Sequence, residues 1–280
     1  MKKILIFLIS LLMILTFSYA QNSELKLIGI AIAENVGEDD YGLTSIDGLF
    51  SIIHFEKLPD TDTFPVYSRW MGYGKHDIEI SILTPEKDKV LASTDDSFEL
   101  ERENEVIYSV GYLKDVAFEN SGIYWIQAKA DGKVLKEIPI FILEGDEDID
   151  SEGADTNPIA IFSLPCIEVY ENDNGLTSLA GVFEYYTTDE LPFEDTFIIA
   201  NGFLSGEGAF TQKFEILSPS GKVIYSSEPQ EFETNIGSLV TVADKVEKIK
   251  FEEEGDYIVK VYLNGQEVLS HAIKVVVQEE

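Results

Sequence analysis

Cysteine, histidine, tryptophan and basic residues are all scarce in this chain: one, three, two and 20 respectively among 280 residues. A lone cysteine, Cys166, excludes an intramolecular disulfide, so packing alone must hold the chain together. Cys166 lies in the apolar stretch Ile161–Val169, where a buried, inert thiol is expected. The three histidines, His54, His76 and His271, fall in separate segments without metal-ligand spacing. Gly-x-Ser-x-Gly, His-Glu-x-x-His and a phosphate-cradling glycine loop are absent from the sequence, so no motif points to nucleophilic, zinc or nucleotide chemistry. Basic residues are outnumbered by 52 acidic ones, giving a net charge of −32. Such a field repels nucleic acid and anionic membrane surfaces and attracts cations. No amphipathic helix longer than two turns is legible, and no apolar run reaches the ~20 residues of a spanning helix.

The N-terminus reads as an export address. Lys2 and Lys3 precede the apolar run Ile4–Phe17, and Ser18-Tyr19-Ala20 offers small residues at the two positions a signal peptidase reads. Cleavage there leaves Gln21 first and a mature chain of 52 acidic against 18 basic residues. The expected location is secreted or periplasmic, with no stable membrane insertion after cleavage and no nucleic-acid partner.

The main internal signal is a repeat. Gly42-Leu43-Thr44-Ser45 returns as Gly175-Leu176-Thr177-Ser178, 133 residues later, and 11 of the 23 positions from 42 to 64 match 175 to 197 identically. Ile82-Leu83-Thr84-Pro85 is answered by Ile216-Leu217-Ser218-Pro219, Gly122-Ile123-Tyr124 by Gly255-Asp256-Tyr257, and Asp131-Gly132 by Asn264-Gly265. This predicts a first repeat over 24–143 and a second over 158–280. The intervening 144–157 holds seven acids, no base and one aliphatic side chain beyond an alanine, which predicts a solvated, extended linker.

Short alternating apolar runs, such as Ile78-Glu79-Ile80-Ser81-Ile82 and Phe214-Glu215-Ile216, are separated by turn residues about every ten positions, the pattern of an all-β sandwich or barrel. Both repeats carry acid-rich residues followed by Gly-x-Tyr, ending in Tyr124 and Tyr257. This resembles the tyrosine corner of immunoglobulin-like domains, in which a buried hydroxyl bonds back to nearby backbone. The fold class expected is therefore two tandem immunoglobulin-like antiparallel β-sandwich domains. Superposing the repeats predicts that Tyr124, Ile126, Ala128 and Ala130, with Tyr257, Val259, Val261 and Leu263, face inward. The succession from Asn174-Gly175-Leu176-Thr177-Ser178 through Ser218-Pro219-Ser220-Gly221-Lys222 to Phe251-Glu252-Glu253-Glu254-Gly255-Asp256-Tyr257 resembles an uncharacterised bacterial β-sandwich family of unknown function. The resemblance implies no activity.

The function expected is that of a non-catalytic exported binding or spacer protein, presenting β-sandwich faces to another protein or a cell-surface polymer. Two other readings stand beside it. Trp125, Trp70 and Tyr73 are candidate aromatic platforms for carbohydrate, because exposed rings stack on sugars and neither Trp is repeated. Asp146, Asp148 and Asp150, with Glu171 and Asp173, are candidate calcium ligands that could stiffen the linker in an adhesin-like array. The first group lacks the glycine at the sixth position and the glutamate at the twelfth of a calcium loop. A hydrolase with a Ser/His/acid site assembled only in space is the remaining alternative.

Overall fold

The computed structural model describes residues 25–39, 42–149 and 156–278. The proposed leader and Asp150 lie outside them. Eighteen strands and no helix form among the described residues.

The first repeat contains β1 (Lys26–Glu38), β2 (Thr44–Phe50), β3 (Ile52–Phe55), β4 (Asp60–Leu83), β5 (Val90–Phe118), β6 (Gly122–Ala130) and β7 (Lys133–Glu144). The second contains β8 (Ile159–Cys166), β9 (Glu168–Glu171), β10 (Thr177–Val182), β11 (Tyr185–Thr188), β12 (Phe193–Leu204), β13 (Gly208–Leu217), β14 (Val223–Ser226), β15 (Gln230–Thr234), β16 (Leu239–Phe251), β17 (Gly255–Leu263) and β18 (Gln266–Val277).

The layers are clearest in the second repeat. One is β16-β12-β8, the other β11-β18-β17-β13 with β14 and β15 beside β13. Alternation builds them: Phe210, Phe214 and Ile216 of β13 point inward and are buried, as a period of two requires. The first repeat follows the same path with fewer breaks. The early part of β4 pairs with β1 and its last part with β6, while β5 accompanies it throughout. Its ladder shifts register at Gly72/Gly74, where the strand passes from one layer to the other.

Equivalent ladders keep the same register. Ile32 pairs with Val66 and Pro165 with Ile199; Gly122 pairs with Ile142 and Gly255 with Val275. The predicted inward set of β6 and β17 is buried apart from Leu263, which is partly so. The tyrosine hydroxyls bond back as expected, Tyr124 to the Asn120 carbonyl at 3.0 Å and Tyr257 to the Glu253 carbonyl at 2.9 Å. Two-residue hairpin turns at Asp131-Gly132 (φ 50° and 76°) and Asn264-Gly265 (φ 49° and 81°) adopt the left-handed conformations that match strand twist.

The repeats do not sit apart on a spacer. Antiparallel pairing of β10 with β2 joins them edge to edge, so a single sheet runs β3-β7-β6-β4-β1-β2-β10-β9. Ile46 pairs with Leu179, the residue 133 positions on. Equivalent residues therefore face each other, and a local two-fold axis relates the halves. The apolar interiors follow suit. A cluster around Phe197, Phe214, Phe251 and Tyr257 belongs to the second repeat. The larger cluster in the first repeat extends across the junction to Ile161, Phe162, Leu164, Cys166, Leu179 and Leu204. Separate interiors for the two repeats, the arrangement implied by a solvated linker, hold only for the second. The linker is also not wholly solvated. Asp146, Glu147 and Asp148 are exposed, but Ile149 is half-buried and lies with Phe141 over Gly237 of the second repeat.

Candidate functional site at the junction of the repeats

The aromatic candidates separate. Trp70 is completely buried, its Nε1 donating to Ser68 Oγ at 2.9 Å and its ring tilted against Phe98. It cannot stack on a ligand, and the carbohydrate assignment at this residue is wrong. Extending the repeat alignment by one residue explains why: Trp70 corresponds to Phe203, also fully buried, so this is an aromatic core position in both halves. Tyr73 is 40% exposed but is left without its tryptophan neighbour on the surface; its carbonyl lies 3.0 Å from His76 Nε2. Trp125 is half-buried, and Lys87 Nζ sits 3.6 Å from its ring centroid while bonding Glu137 at 2.6 Å. One ring face is thus already taken by a cation.

The acidic candidates do not converge. Asp146, Asp148, Glu171 and Asp173 are all exposed, and no group of three or more His, Cys, Asp or Glu among the described residues could hold a metal ion. The loop after Glu171 is occupied otherwise: Asn172 and Asn174 each donate through Nδ2 to the Glu34 carboxylate of the first repeat at 2.8 Å.

A different constellation forms where β1 and β4 meet β8, β11 and β18. Arg69, fully buried, donates from Nη1 to the Ser163 carbonyl at 3.1 Å and forms an ion pair through Nη2 with Glu184. Tyr67 donates to the same carboxylate at 3.4 Å. His271 Nε2 lies 3.0 Å from Ser163 Oγ, and its Nδ1 is 3.5 Å from Arg69 Nη1. Burial and the adjacent guanidinium hold the His271 imidazole well below its ordinary pKa, so it is neutral at neutral pH. Burial and Glu184 raise that of Tyr67, keeping its hydroxyl a donor. These five groups come from distant segments of both repeats, and four are at most 1% exposed.

Beside this cluster the repeats leave a groove of roughly 300 Å³. Arg102, Glu105 and Val106 of β5 line one wall; Tyr185 and Thr187 of β11 with Lys274 of β18 line the other, and Glu184 connects groove and cluster. Tyr185 is 62% exposed. Further contacts seal the junction. Ser178 Oγ accepts from the Gly48 amide at 2.9 Å and donates to Asp47 at 2.7 Å. Ser51 Oγ donates to the Gly237 carbonyl at 2.6 Å, and Asn104 Nδ2 to Asp256 at 3.2 Å. Lys136 Nζ donates to the Ala160 carbonyl at 2.6 Å, and burial lowers its pKa to about 8. Ile28 and Met71 pack against Ala272 with Ile258 alongside, which accounts for an apolar residue on the outward face of β17.

Chemically, Ser163 and His271 have the spacing of a nucleophile and its base. The third partner is a guanidinium where a triad needs a carboxylate to orient and stabilise the imidazolium. Both residues are shut away from solvent, at 0% and 1% exposure. Cys166 is equally enclosed, and burial pushes its thiol up to about 12, which leaves almost no thiolate at neutral pH.

Sequence reasoning missed this junction, although a signal was present. Ile28–Ala33 and Ala160–Cys166 are continuous buried runs in β1 and β8, whereas β13 alternates. A mostly apolar run without polar alternation, interrupted in β8 by Ser163 alone, marks a strand covered on both faces, here by its own sandwich on one side and the other repeat on the other.

Fold and junction together define an all-β protein of two like sandwiches packed about a local two-fold axis. The chain belongs to a family of unknown function, DUF6941, which matches residues 29–143 and again 161–276, one match to each repeat. A search of curated proteins finds no match to the chain.

Proposed function

We propose that the chain is an exported, non-catalytic protein whose two immunoglobulin-like repeats act as one binding body, offering the groove between them to another protein or a cell-surface polymer. The observation that carries this reading is the composition of the groove. Its walls come from both repeats, Tyr185 stands 62% exposed on one of them, and Arg102 and Lys274 place two cations in an otherwise strongly acidic chain. An exposed aromatic flanked by paired charges suits recognition of a polar polymer or protein loop. Ser163 and His271 support the absence of catalysis, because both are enclosed in the junction, at 0% and 1% exposure, beside a guanidinium.

The mature chain, 21–280, should co-sediment with isolated cell envelopes or insoluble polysaccharide, and Tyr185→Ala should lower the bound fraction several-fold at an unchanged melting temperature. Equal binding by the variant removes the groove from the reading, and no binding to any of these surfaces removes the reading. Turnover of ester, glycoside or peptide substrates that disappears in Ser163→Ala would replace it with catalysis. Export is checked separately by sequencing the N-terminus of the extracytoplasmic protein, where Gln21 is expected first.

A further inference from the structure

One ladder position carries opposite residues in the two repeats. Gly29 pairs with Arg69 between β1 and β4; Phe162 pairs with Gly202, at the equivalent place, between β8 and β12. A Cβ on Gly202 would lie 2.3 Å from Phe162 Cε1, because the phenyl ring occupies that space. A Cβ on Gly29 would lie 3.4 Å from Arg69 Cβ and 3.5 Å from Phe162 Cβ. Position 29 therefore lies directly against its own equivalent, and only one of the two carries a side chain. Phe162 joins the apolar cluster of the first repeat, whereas Arg69 reaches Ser163, Glu184 and His271 of the second.

On the other side of the two-fold axis the matching positions are Gly202, Ile30, Ser51 and Ile138, with no charge among them. Pairing the first repeat with a copy of itself would bury two arginines opposite Ser51 and Ile138 and leave a void at two glycines. Pairing the second with itself would press two Phe162 side chains together and strand two Glu184 carboxylates without a guanidinium. Unpaired buried charge and overpacking both oppose such complexes, and a partner is selected as much by what the wrong partner costs as by what the right one gains.

We infer that the junction is a heterotypic lock: the face of the first repeat around Gly29 and Arg69 accepts the second repeat and rejects a copy of itself. Each repeat's partner is the other, held in the same chain by residues 144–157. This does not depend on what the groove binds.

The test uses the full-length chain with a protease site introduced between Ile149 and Thr156. After cleavage the halves should remain together as a one-to-one complex at micromolar concentration in native mass spectrometry. When isotopically labelled and unlabelled cut samples are unfolded and refolded together, only pairs of one first and one second repeat should appear. Glu184→Gln keeps the size of the side chain and removes its charge; it should weaken the association of the cut halves by about a hundredfold. Halves that separate after cleavage, same-repeat pairs in statistical proportion, or an unchanged affinity in Glu184→Gln each overturn the inference. The exchange measurement on the unsubstituted protein stands even if the variant folds poorly.

Discussion

The two sides of the junction are built from equivalent residues and reach opposite solutions. On the side of the first repeat's β4, Arg69, Glu184, His271, Ser163 and Tyr67 form a dry polar cluster. On the mirror side, Phe162 lies over Gly202 among Ile161, Leu164 and Leu204. Each residue is read by the same ladder, so backbone geometry does not impose the difference. A duplicated scaffold can thus diverge at its own interface while both sandwiches stay intact. The repeats differ elsewhere too: β4 and β5 run unbroken, while the second copy of that hairpin is divided into β12, β13, β14, β15 and β16. Within the part equivalent to β4 and β5 its breaks include Ser205–Glu207, Ser227–Pro229 and Asn235–Ser238, the last of which meets Ser51 of the opposite repeat at Gly237.

Substitutions test how far the two sides differ, and those on the polar side should cost most. Arg69→Met should cost about 3–5 kcal/mol in urea unfolding, because it leaves Glu184 buried without its partner. Combining it with Glu184→Met should recover most of that loss; a double variant as unstable as the single would show that the packing of Arg69, and not its charge, carries the junction. On the apolar side, Phe162→Ala should cost about 3–4 kcal/mol, the range for emptying a buried aromatic site. A cost below about 1 kcal/mol would mean that the two sides are not comparable in strength.

The next effect depends on pH and belongs to the polar side alone. His271 has a folded pKa depressed well below 6.5, so below pH 6.5 the unfolded chain binds a proton that the folded chain excludes. Its contribution is fully present above pH 6.5 and is lost progressively as pH falls towards the folded value. The slope this adds is at most that of one proton, about 1.4 kcal/mol per pH unit. His271→Gln should flatten that part of the stability profile, and an unchanged slope would assign the acid sensitivity to carboxylates. The smallest effect compares the two tyrosine hydroxyls. Tyr257 donates to the Glu253 carbonyl and accepts from the Glu252 and Glu253 amides, whereas among the described residues Tyr124 makes only the bond to Asn120. Tyr257→Phe should cost about 2 kcal/mol and Tyr124→Phe about 1; the reverse order in thermal melts would contradict the geometry.

Much of the fold was legible because its signals are local. The Asp131-Gly132 and Asn264-Gly265 turns, the Gly-x-Tyr approaches to Tyr124 and Tyr257 and the alternating strands each report on a few neighbouring residues. The repeat offset then doubles every observation. The candidate sites were legible only as residue types. Trp70 read as a platform because its equivalence to Phe203 lay one residue past the stretch compared. Asp146 and Asp148 read as ligands because acids alternate there as in a calcium loop, and Glu171 and Asp173 because their loop is rich in oxygen ligands, but exposed carboxylates that repel one another do not gather without a scaffold that forces them together.

Periodicity, turn chemistry and hydrophobic burial act over distances of a few residues, so the residues alone were enough for the β architecture, its duplication and the inward face of β6 and β17. Tertiary structure alone decided that β2 would meet β10, that Arg69 would find Glu184 across 115 residues of chain, and that a reactive-looking Ser163 and His271 would be sealed beneath both repeats. Those choices depend on which two surfaces lose water together, a property of whole faces that no single stretch of residues displays.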